Sequence, residues 1–157
     1  MSAEPGPALP IILLVEDDSN DALVVRRALT TTRLPHFVIW LPGGEHAINY
    51  LSGSPPFDDR KAHPPPVLVL LDLKMPAASG FKVLVWLKTQ PELLSIPVVV
   101  LAGSGLAIER EEAKKLGAAG YYINPQDFTS LLNIVQTIDI RWLNKGLPDK
   151  SPVDKKS

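Results

Sequence analysis

Cysteine is absent from the chain. That excludes a disulfide framework, thiolate metal sites and thiol nucleophiles together. An excess of either charge is also missing: 16 Lys and Arg stand against 17 Asp and Glu, a formal net charge of -1. A general nucleic-acid binder needs a basic surplus, so that class is not expected. No apolar run approaches the roughly 18 residues of a membrane span. The opening MSAEPGPALP has neither a basic start nor a long apolar core, so it does not read as a secretory signal. A soluble, cytoplasmic protein is the expectation. The 157 residues suit one domain with little to spare, a size that buries about 70% of the unfolded surface without staples.

Five short apolar runs punctuate the chain: residues 11–15, 37–41, 67–71, 97–101 and 120–123. Runs that are apolar throughout and end in turn formers read as strands buried on both faces. Between them lie helical patterns. Ser19-Asn20-Asp21 is a capping sequence, and Ala22, Val25 and Leu29 share one face of the segment behind it. Gly43-Gly44 precedes a short helix from Glu45 to Leu51, and residues 74–80 read as loop. Phe81, Leu84, Val85 and Lys88 mark a third helix face, and Ile108 to Leu116 forms a fourth helix stopped by Gly117. Phe128, Leu131, Leu132, Val135, Ile138 and Trp142 draw one stripe along a fifth. Residues 52–66 contain five prolines and read as an extended surface connection of polyproline character. His36, His46 and His63 are scattered and expected on the surface; Trp40, Trp86 and Trp142 sit in apolar patterns and are expected in the core or an interface.

Strand and helix alternating five times mean an α/β, flavodoxin-like fold: a five-stranded parallel sheet, doubly wound by five helices, of expected order 2-1-3-4-5. The division expected is an irregular N-terminal arm over 1–8, one domain over 9–143, and a disordered tail over 144–157. Ligands of such sheets bind at the carboxyl ends of the strands, where strands 1 and 3 diverge. Strand 1 delivers Glu16, Asp17 and Asp18 there, and strand 3 delivers Asp72. Carboxylates crowded into one cleft repel, and a proton or a cation must relieve them. Oxygen ligands without His or Cys favour Mg²⁺, which commonly also meets a phosphoryl oxygen. The residues alone therefore suggest an acidic Mg²⁺ pocket that handles a phosphoryl group.

The segments LLVEDDSND (13–21), LLDLKMPAASG (70–80), IPVVVLAGSG (96–105) and GYYINP (120–125) carry a resemblance. The chain resembles the receiver domains of two-component response regulators over about residues 9–143. It looks most like the small single-domain regulators that partner phytochrome-type kinases. The resemblance implies that Asp72 is the phosphoacceptor, charged by a sensor histidine kinase or phosphotransfer protein. It implies that Asp17 ligates Mg²⁺ directly, Glu16 through water, and Lys74 through its backbone carbonyl. It also implies a cis bond before Pro125, a rotating aromatic at Tyr121, and onward signalling to a downstream protein, with the helix 4–strand 5–helix 5 face as a contact or homodimer surface. No nucleic-acid or membrane partner is expected, and the chain is expected to be a phosphoacceptor rather than an enzyme.

Two positions depart from the family pattern. Ala102 stands where Thr or Ser is usual, and Asn124 where Lys is usual. Hydrogen bonds to charged groups contribute about 1.5–3 kcal/mol each, so both losses weaken any phosphorylation-linked switch. A second reading follows, an atypical pseudo-receiver that binds partners without being productively switched. A dehalogenase-type phosphatase is disfavoured because Lys74 occupies the place of its second acid. A flavin carrier lacks its phosphate-cradling loop after strand 1.

Overall fold

The computed structural model describes residues 9–33, 35–73, 77–103 and 107–143. The expectations for residues 1–8 and 144–157, and the Lys74 carbonyl, fall outside them. The described chain runs β1 (Ile11–Val15), α1 (Ser19–Leu29), β2 (Phe37–Leu41), α2 (Gly44–Ser52), β3 (Leu68–Leu73), α3 (Ala77–Lys88), β4 (Val98–Ala102), α4 (Ala107–Lys115), β5 (Gly120–Ile123) and α5 (Phe128–Ile138). All strand pairs are parallel, in the order β2-β1-β3-β4-β5. The expected sheet is therefore the observed one.

The sheet splits the core because successive strand residues point to opposite faces. Leu13 and Val15 join Val69, Leu71 and Val100 beneath α2, α3 and α4. Ile12 and Leu14 join Leu70, Val99 and Leu101 beneath α1 and α5. Burying one such Leu or Val fully contributes about 1.5–3 kcal/mol. Central strands with no polar side to offer can only sit between two helical layers, which fixes the open sheet edge as the place where polar residues emerge.

Register then aligns the acids. Val15 pairs with Leu71, so the next residues along, Glu16 and Asp72, leave neighbouring strands at the same level. Asp72 is still within β3, opposite Leu101.

Several local expectations are corrected. At α1 the cap is not Ser19, which begins the helix, but Asp18, the acid outside the expected metal-binding pair that also reads as a cap: its carboxylate accepts the N–H groups of Asn20 (2.8 Å) and Asp21 (3.1 Å). Helix α3 starts at Ala77, inside the stretch expected as loop. Its buried face is Gly80, Val83, Leu84 and Leu87, one residue round from the expected stripe, and Val85 is 51% exposed. The fifth helix widens after Ile138 into a π-helical turn, Asp139–Leu143, which places the Asp139 carboxylate on the Arg33 N–H (2.9 Å). Leu143 is buried there, while Trp142 turns onto Tyr122, ring to ring at 6.5 Å. Trp142 therefore packs within the chain.

The proline-rich connection is not an extended spacer. Arg60 folds it back, donating to the Tyr50 carbonyl (2.7 Å) at the end of α2 and to the Phe57 carbonyl (3.2 Å) within the connection. The Tyr50 hydroxyl donates to the Pro64 carbonyl (2.8 Å), and the His63 ring packs edge-on against Tyr50 and Phe57. His63 is thus half-buried, whereas His46 is exposed as expected. Helix carbonyls left over at a C-terminus need donors, and here a guanidinium supplies them.

Candidate functional site

The carboxyl end of the sheet gathers Glu16, Asp17, Asp72, Ala102 and Asn124. Glu16 is 1% exposed although it is an acid. Its backbone is held on both sides: its N–H donates to the Leu41 carbonyl (3.0 Å), and its carbonyl accepts the Trp40 indole N–H (2.6 Å). One carboxylate oxygen accepts the Asp18 N–H (3.0 Å); the other, Oε1, is buried with no hydrogen-bond partner. Sequence reasoning placed Trp40 only in an apolar pattern. Its part in aiming Glu16 depends on a contact across 24 residues, for which no local signal exists.

Burial, first, and the adjoining Asp72 carboxylate, second, push the Glu16 acid up from 4.5 to about 9. Asp17 also touches it and acts in the same direction, while the Asp18 N–H opposes the rise. At neutral pH Glu16 therefore keeps a proton, which relieves the crowding of the carboxylates.

Asp72 is 5% exposed, and its Oδ2 accepts the Asn124 amide N–H at 3.1 Å. Asn124 is anchored in turn, its backbone N–H donating to the Ala102 carbonyl (2.7 Å) beyond the last β4–β5 pair. The departure from Lys at this position thus leaves a neutral donor on the aspartate. Ala102 is 1% exposed and packed in the core, and offers no side-chain donor. The Asn124–Pro125 bond is trans; among the described residues the cis bond is Pro55–Pro56. The expected cis bond at Pro125 is not formed, in keeping with the ordinary trans preference of X–Pro bonds. Tyr121 lies half-buried on the edge strand β5, with the Arg110 guanidinium 4.9 Å over its ring. Beside Asn124 a cleft of about 490 Å³ opens between α1 and the start of α5, walled by Asp21, Val24, Gln126 and Phe128.

The donor set is suited in kind to a hard divalent cation: carboxylate oxygens only, one of them the buried, unpartnered Glu16 Oε1. Among the described residues, no three His, Cys, Asp or Glu side chains are placed to hold a metal by themselves. A backbone carbonyl is the expected complement, and Lys74 lies outside the described residues.

With that geometry in view, comparison with known proteins is informative. The response regulator receiver domain model matches residues 12–136. The response regulator Rcp1 of Synechocystis is 34% identical over 143 residues, 91% of this chain and 95% of that protein. The solved structure of the phosphorylated cyanobacterial phytochrome response regulator RcpA superposes with a TM-score of 0.78 at 32% identity, covering 88% of this chain and 97% of that one. The Mn²⁺-bound form of Rcp1 superposes with a TM-score of 0.76 at 33% identity, covering 89% and 99%. Matched length and fold agree, and the chain belongs to the response regulator receiver domain family of two-component signalling.

Proposed function

We propose that Asp72 accepts a phosphoryl group from a phosphohistidine of a sensor kinase or phosphotransfer protein. The observation that carries this reading is the meeting of Asp72, Glu16 and Asn124 at the carboxyl ends of β3, β1 and β5, with the Asn124 amide on Asp72 Oδ2. An Asp72 carboxylate oxygen attacks phosphorus; the P–N bond to the histidine breaks as the P–O bond forms, leaving an acyl phosphate and the free imidazole. Glu16, Asp17, Asp72 and the Lys74 carbonyl are the residues that would hold Mg²⁺. Bound there, the ion supplies positive charge against the phosphoryl oxygens. The Asn124 amide orients the Asp72 carboxylate, and the backbone bond from Asn124 to the Ala102 carbonyl holds that amide in place.

Asp72 is modified and restored rather than turning over a substrate, so the role is that of a phosphoacceptor. Onward signalling passes by protein contact. The face formed by α4, β5 and α5 suits that contact or a homodimer, since Ile108 is 76% exposed and Ile123 47% exposed along it. The protein incubated with acetyl phosphate and Mg²⁺ should gain one phosphoryl group by intact mass, and Asp72→Asn should gain none. Labelling that survives Asp72→Asn, or no labelling from small donors and from kinases alike, would overturn the reading.

A further inference from the structure

β2 is an edge of the sheet, and its open side adjoins a groove of about 690 Å³ far from the acidic site. The Phe37 N–H donates to the Pro10 carbonyl (2.9 Å), towards β1. In a parallel ladder the bonding direction alternates, so Val38 and Trp40 turn their N–H and C=O outward, where no described strand meets them. The groove wall beside this edge is α1 from Leu23 onward, Leu23 being 55% exposed; on the strand, Phe37 is 60% exposed. Exposed apolar groups along an unpaired edge are an aggregation hazard unless something covers them.

The charge on the groove indicates what fits. Arg26, Arg27 and His36 line it, and no carboxylate does among the described residues, although the whole chain carries a formal charge of -1. Val38 packs with the α1 side of the sheet, while Phe37, by alternation with Ile39, belongs to the other. A strand laid against β2 would therefore meet arginines with one set of alternate side chains and Phe37 with the other.

We propose that this edge accepts an extended acidic segment of a partner protein as a sixth strand. Its alternate carboxylates rest on Arg26 and Arg27, its intervening apolar side chains on Phe37, and its backbone on Val38 and Trp40. The site is independent of the phosphoacceptor reading.

The test uses the full chain and a short fluorescein-labelled peptide of alternating Glu and Val, read by anisotropy. Saturable binding is expected, weakened at least about tenfold by the joint Arg26→Glu and Arg27→Glu substitutions. Val38→Pro, which removes an outward donor at an edge position, should weaken it similarly. A peptide N-methylated at alternate residues makes the same test without altering the protein. Asp72→Asn should bind the peptide as the unaltered chain does. No saturation below about 1 mM, or binding indifferent to charge reversal or to N-methylation, overturns the proposal. So does sedimentation showing a dimer that the Arg26→Glu and Arg27→Glu variant dissolves, since the occupant is then a second copy. Binding that requires deletion of residues 2–8 overturns it too, because the chain's own N-terminal segment is then the occupant.

Discussion

Asn124 reaches across from β5 to place its amide N–H 3.1 Å from Asp72 Oδ2. The contact is a neutral donor on a buried acid, where the family ordinarily brings a Lys ammonium. A hydrogen bond to a charged group contributes about 1.5–3 kcal/mol, so Asn124→Ala should destabilise the fold by that order in urea unfolding. The loss should shrink to a few tenths of a kcal/mol in an Asp72→Ala background, where no acceptor remains. Equal losses in both backgrounds would mean that Asn124 acts through packing alone.

The two departures from the family pattern sit at the ends of adjacent strands, joined by the bond from the Asn124 N–H to the Ala102 carbonyl (2.7 Å). A group that binds both conformations equally shifts nothing; only interactions made in one state move the balance. Ala102→Thr with Asn124→Lys adds a hydroxyl and an ammonium at the edge where the phosphoryl group is proposed to sit. The double variant should show a larger change in Tyr and Trp fluorescence on adding acetyl phosphate and Mg²⁺ than the unaltered chain. An unchanged response would locate the limit on switching elsewhere.

The strands were readable because their signal is local. β1, β2 and β5 begin and end where the apolar runs do, bounded by acids, Pro and Gly. The meeting of Glu16 with Asp72 follows from strand order, which a five-stranded doubly wound sheet of this size nearly dictates. What stayed hidden depends on distant side chains. The Trp40 indole on the Glu16 carbonyl and the Arg60 guanidinium on the end of α2 leave no period in the sequence. Prolines in 52–66 announce an absence of regular structure, and the packing of Tyr50, Phe57 and His63 beneath them has no such marker. Val85 was misplaced because two overlapping apolar stripes run along α3, and only the sheet beneath selects between them.

The pH dependence of stability should carry the mark of Glu16. Its acid is pushed up to about 9 in the folded chain, from 4.5. Between those values the folded state holds a proton that the unfolded state has released. Stability therefore falls as pH rises through that window, by at most about 1.4 kcal/mol per pH unit for one proton. Below the lower value the contribution is flat. Urea midpoints followed from pH 5 to 9 should decline, and Glu16→Gln, which cannot ionise, should flatten the decline and be the more stable form at the alkaline end. Mg²⁺ should tighten as pH rises, because it displaces the same proton. A slope that Glu16→Gln leaves untouched would assign the titration to another group.

Gly120 begins β5 with Trp142 lying over it: a Cβ there would come within 2.7 Å of the indole Cη2 and 3.3 Å of Cζ2. The indole also packs edge-on against Tyr122 at 6.5 Å and lies beneath the Arg141 guanidinium at 5.0 Å, so it is held from several sides. Gly120→Ala must push it aside, and overpacking of this kind typically costs about 1–3 kcal/mol. The backbone at Gly120 needs no left-handed conformation, which leaves the collision as the only penalty. In a Trp142→Ala background the methyl keeps only an ordinary contact with Tyr122 Cε2 at 3.4 Å, and the same substitution should cost less than about 0.5 kcal/mol. Thermal unfolding of the four proteins in this cycle, with Trp emission as the second signal, measures the coupling. Equal costs in the two backgrounds would show that the strand, and not the indole, excludes the side chain.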